Sequence, residues 1–101
     1  MTLRWLDFDF SEDTEGIGTF DAMASTAPGR MSEVEAEIAE VIAWADATFP
    51  HQRGALDEGA TWDCDVQELH EADGLRRTLV FSVSGTTVFC DALRARFALG
   101  D

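Results

Sequence analysis

The stretch WDCDVQELHEADGLRRTLVFSVSG, residues 62–85, constrains the fold more than any other part of the chain. Asp-Gly between two strand-like runs is a strong hairpin signal, because both central positions of a type I′ two-residue turn need positive φ. A turn at Asp73-Gly74 fixes the pairing of everything around it. Cys64 then faces Val83 and Val66 faces Phe81 on one side, while Asp65 faces Ser82 and Asp63 faces Ser84 on the other. Slipping that register by one residue would mix apolar and acidic faces, so it is well specified. The same register sets His70 opposite Arg77.

A second hairpin is expected at the start. Residues 4–10 alternate, with Leu6, Phe8 and Phe10 on one side and Trp5, Asp7 and Asp9 on the other. A three-residue loop ending at Gly16 joins them to a strand in IGTFDAMAS, which sets Phe10 against Phe20, Phe8 against Ala22 and Leu6 against Ala24. The cost of this register is that Asp9 lies directly opposite Asp21.

Each hairpin runs into a helix. After TAPGR, Ser32 and Glu35 have the spacing of a capping box, and Val34, Ile38, Val41, Ile42, Ala45 and Phe49 form one apolar stripe that Pro50 ends. At the other end, Thr86 or Thr87 caps a helix whose stripe is Phe89, Leu93 and Phe97, with Arg94 and Arg96 near its negative end and Gly100 as terminator. The order ββα therefore occurs twice. The expected fold is α+β: one domain over residues 1–101, with halves 1–50 and 61–101 joined by an aperiodic connection at 50–60. Its two ββα units form one four-stranded, largely antiparallel sheet with two helices on one face. The halves also echo each other locally, since Leu6-Asp7-Phe8-Asp9-Phe10 resembles Trp62-Asp63-Cys64-Asp65-Val66.

Chemistry is harder to find. DFDFS resembles the Asp-x-Asp nucleophile motif of haloacid-dehalogenase-type phosphatases, but the chain has no Lys and no βαβ alternation, which excludes that reading. As an EF-hand loop it fails at the sixth position, Glu12 in place of Gly, and at the twelfth, Gly18 in place of an acid. Cys90 and Arg96 have the Cys-x5-Arg spacing of tyrosine-phosphatase-like enzymes, yet DALRA between them is helix interior, and Asp91 beside the sulfur opposes thiolate formation. The turn SGTT is better explained as a helix cap than as an anion site. His51 and His70 have no nucleophile in sequence range and read as surface residues. No catalytic set emerges, and no cofactor is expected.

Twenty acids against seven bases, all Arg, give a net charge of −13, which disfavours nucleic acid and anionic membranes as partners. The absence of Lys fits GC-rich bacterial coding. No apolar run approaches the roughly 18 residues of a membrane span, and two cysteines without C-x-x-C spacing read as buried free thiols, so a cytoplasmic location is expected. The favoured reading is a small non-enzymatic binding or regulatory module. Its candidate contact residues are Trp5, Asp7, Asp9, Asp21, Asp63 and Asp65, facing a protein partner of basic character or a second copy in a homodimer. The alternative is a small enzyme or ligand-binding domain in which Asp7, Asp9 and Asp21 converge on a hard cation such as magnesium or calcium.

Overall fold

The computed structural model describes residues 3–70 and 76–99. Four strands and two helices follow in the order β1 (Asp9–Glu12), β2 (Gly18–Thr26), α1 (Met31–Thr48), β3 (Trp62–His70), β4 (Arg77–Gly85) and α2 (Thr87–Phe97). The sheet order is β1-β2-β4-β3, and every neighbouring pair is antiparallel. Among the described residues, no helix is long and apolar enough to cross a membrane.

Both hairpin registers agree with the turn chemistry. In the first, Asp9 pairs with Asp21 and Phe10 with Phe20. The loop Thr14-Glu15-Gly16 is closed by Asp13 N–H to the Ile17 carbonyl at 2.9 Å, with Gly16 at φ +84°. The Asp13 carboxylate also accepts from the N–H groups of Glu15 and Ile17, locking the turn from inside. In the second, Cys64 pairs with Val83, Asp65 with Ser82 and His70 with Arg77. The Asp73-Gly74 turn itself lies outside the described residues.

Alternation sends Phe20, Ala22, Ala24, Leu79, Phe81 and Val83 inward, where both helices bury them under Val34, Ile38, Val41, Phe89, Leu93 and Phe97. At one end of this face, Gly18 and Gly85 pair directly, with Trp62 next in the row. The missing side chains leave a depression that α2 fills. Phe89 lies on Gly85 and stacks on Trp62 at 5.6 Å with an interplanar angle of 1°, while Phe10 and the Cys90 sulfur cover Gly18. Trp44 of α1 closes the space between the helices against Phe49, Phe89 and Phe97.

Three local expectations are corrected. Ser32 does not cap α1: the helix begins at Met31, which is almost fully buried, and its N-cap Arg30 makes no side-chain cap bond. Burying the Met31 side chain draws the start one residue ahead of Ser32, and Glu35 turns to Arg77 instead, at 3.5 Å. At the other end, α2 stops before Gly100, at Ala98 in the left-handed conformation with φ 54°. Thr86 does cap α2, accepting from the Phe89 N–H.

The third correction concerns residues 4–8, which leave the sheet. Here β1 begins at Asp9, because Glu37 of α1 takes the main chain away: its carboxylate accepts from the N–H groups of Arg4 at 2.7 Å, Trp5 at 2.9 Å and Leu6 at 3.1 Å. Leu6 still reaches the core and Phe8 packs edge-on to Phe20, so the apolar pattern is honoured without strand pairing.

Two substitutions test these constraints by thermal denaturation. Gly85→Ala should cost about 1–3 kcal/mol, because a methyl group there overlaps Phe89 and the overpacked ring must shift. Glu37→Ala should cost about 2 kcal/mol, the loss of hydrogen bonds to a charged acceptor, with faster amide exchange at Arg4, Trp5 and Leu6.

Candidate functional site

The face of the sheet away from the helices is built from the alternate residues of each strand. One row across it reads Asp9, Asp21, Ser82, Asp65, and the next reads Ser11, Thr19, Ser84, Asp63. A further row carries Met23, Val80 and Gln67. The face is thus acidic and hydroxyl-bearing at one end and more apolar at the other, where Met23 is 63% exposed.

Hydroxyls organise the acidic end. Ser82 donates to Asp21 at 2.5 Å, and the hydroxyls of Thr19 and Ser84 bond to each other at 2.8 Å. Asp63 accepts the Cys64 N–H at 2.8 Å and is approached by Arg53 Nε at 3.3 Å; the same guanidinium lies over the Trp62 ring. A hollow of about 210 Å³ separates these strands from Leu56 of the connecting loop, lined by Asp63, Cys64, Asp65, Ser82 and Ser84. A separate hollow of about 470 Å³ lies within that loop beside His51, Arg53 and Glu58, away from the carboxylate row.

The other cations lie away from the Asp9–Asp21–Asp65 row. Arg4 and Arg30 flank Trp5 and pair with Glu33. The hydrogen bond from Arg30 holds the Glu33 carboxyl below its usual range. Arg77 makes a two-pronged bond to Glu68 at 2.6 and 2.8 Å, which pushes its own pKa up. Arg94 pairs with Asp91 and lies over Phe10, Arg96 lies over Phe97, and Arg76 bonds the Ser25 hydroxyl and carbonyl. Among the described residues, no ion pair involves Asp9, Asp21 or Asp65.

The structure therefore brings together four of the six candidate residues, Asp9, Asp21, Asp63 and Asp65, and removes two. Trp5 is not on the acidic face: it packs half-buried against the core beside the start of α1. Asp7 lies in the unpaired arm, at a small hollow shared with Phe97 and Leu99 near the end of α2. Both shift for the same reason, the capture of the arm by Glu37. Asp7 consequently does not join the row that holds Asp9 and Asp21, and the described residues contain no group of three or more His, Cys, Asp or Glu placed to hold a metal ion. Ser82, Ser84 and Thr19 are the site residues that the acidic pattern alone did not pick out; the Asp-Gly register points to the two serines, which it sets opposite Asp65 and Asp63.

The thiols do not add a nucleophile. Both cysteines are free; Cys90 is buried and Cys64 half-buried, and burial pushes both thiols up, against the opposing effects of Arg94 and Arg53 respectively. The Cys90 N–H is used by the Thr86 carbonyl at 2.9 Å, within the ordinary first turn of α2, so no phosphate loop forms around it.

No match to this chain is found among protein-family models, curated proteins or solved structures.

Carboxylates directly opposite each other on a strand pair repel. Asp9→Asn should therefore raise stability by a few tenths of a kcal/mol, up to about 1. Added salt should stabilise the wild type more than the variant. Chemical denaturation at two ionic strengths checks both, and a destabilised Asp9→Asn would show that the pair is not under repulsion.

Proposed function

We propose that the protein is a non-catalytic binding module, working in the cytoplasm, whose acidic sheet face receives a basic segment of another protein. The observation that carries this reading is the segregation of charge: Asp9, Asp21 and Asp65 share a row with one serine, and among the described residues no arginine pairs with any of the three, Arg53 reaching only Asp63 in the next row. A guanidinium laid on that row would gain charge-assisted bonds and remove the Asp9–Asp21 repulsion in one step. Stability given up in the free protein would then return as affinity. Serine and threonine hydroxyls beside the carboxylates suit the remaining donors of a planar fork, which favours arginine over a point-like ammonium. The two unbridged cysteines accord with a reducing compartment.

The test is fluorescence anisotropy with a labelled oligo-arginine peptide. Binding should weaken steeply as ionic strength rises, since the contacts are exposed ion pairs. Replacing Asp9, Asp21 and Asp65 by Asn should reduce affinity about tenfold or more, equivalent to about 1.4 kcal/mol. An equal change of charge at Glu40, Asp46 and Glu58, all exposed and off this face, should leave most of the affinity in place. Equal losses in the two triple variants would mean that net charge alone attracts the peptide, and the reading would be abandoned.

A further inference from the structure

We propose that the basic segment binds as an added β-strand on the free edge of β3, with basic and apolar residues alternating along it. This inference rests on the binding-module reading and names the form of its partner. The main-chain direction of β3 is set at its first residue, where the connecting loop lies alongside: Gly54 N–H donates to the Trp62 carbonyl at 3.0 Å, and the Trp62 N–H reaches Gln52. Trp62 therefore aims its main chain away from β4, and strand periodicity gives Cys64 and Val66 the same direction. The loop's main-chain bonds to β3 stop at that first position, with Arg53 reaching Asp63 and Leu56 standing across a hollow from Asp63, Cys64 and Asp65. The Cys64 N–H is answered by the Asp63 carboxylate, while the Val66 N–H and carbonyl have no main-chain partner among the described residues. A strand edge in this condition is a template for another chain.

Side chains on β3 say which chain fits. Val66 is 42% exposed on the helix side and Leu69 is 47% exposed on the outer side, and a neighbouring strand would cover both. Asp63 and Asp65 line the outer side next to Gln67, where alternate residues of an added strand would stand. Basic residues are wanted there, with apolar ones opposite Val66. A second copy of this chain would bring carboxylates against carboxylates and is disfavoured by the net charge of −13 on each.

The experiment titrates the full-length chain with a short peptide alternating arginine and valine, and with two twins N-methylated on the arginine or on the valine amides. One twin should lose about tenfold or more in affinity, the scale of one to two net hydrogen bonds, and the other should bind like the parent. Val66→Lys, at an exposed position that leaves the core intact, should lose a similar factor, whereas Val88→Lys on the exposed side of α2 should not. Parent-like binding by both twins would overturn strand addition while leaving the acidic-face reading standing. Absence of binding by any form would remove both, and a dimer of the free chain that Val66→Lys dissolves would replace the basic partner by a second copy.

Discussion

Two glycines facing each other across the central strands decide how the layers meet. Because Gly18 and Gly85 bring no side chains to the inner face, Phe89 can descend onto the sheet and stack flat on Trp62, and Phe10 can turn over from the edge strand. The N-terminal turn of α2 is seated by that contact, and Thr86 caps the helix one residue after Gly85. Trp44 then fills the space that α2 leaves beside α1. Glycine in a strand normally weakens it, through lost packing and greater unfolded-state freedom. Here the loss is offset by the aromatic surface that the vacancy admits.

The same economy of position governs charge. Arginine stems and rings cover one another on the helix side, around Trp5, Phe10 and Phe97, with acids of α1, α2 and β3 supplying their partners. The opposite face gathers carboxylates and hydroxyls at one end, where Arg53 meets Asp63, and carries Met23 and Val80 toward the other. The antiparallel seam between β2 and β4 relates the two hairpins as halves of a twofold arrangement about the Asp21–Ser82 pair, in which Asp9 corresponds to Asp65. The echo between the two strand sequences thus has a spatial counterpart, and it ends where the first strand ends. Asp7, the counterpart of Asp63 in sequence, departs with the arm that Glu37 holds.

Much of this was legible because turns and periodicity are local. A three-residue loop ending in Gly16 and an Asp-Gly pair are each sufficient to set a register, and the registers place Asp9 against Asp21 and Asp65 beside Ser82. The strand order was not legible, since nothing in a hairpin names its neighbour. Trp5 and Asp7 were misplaced for a physical reason: alternation of apolar residues is satisfied equally by a strand and by an irregular arm that buries Leu6 and Phe8, and only the distant Glu37 distinguishes them. Ser32 illustrates the complementary failure. Its capping signal was genuine in type, but burial of Met31 outweighs one cap hydrogen bond.

The strand order also has a consequence for how the chain reaches its native state. Each hairpin closes over a short loop, but the seam between β2 and β4 joins Gly18 to Gly85 and Thr26 to Arg77, residues half or more of the chain apart. Both hairpins can form early, whereas neither can bury Phe20 or Phe81 until the two meet. Contact order therefore points to the encounter of the two ribbons as the slow step, with α1 in the segment that has to close between them.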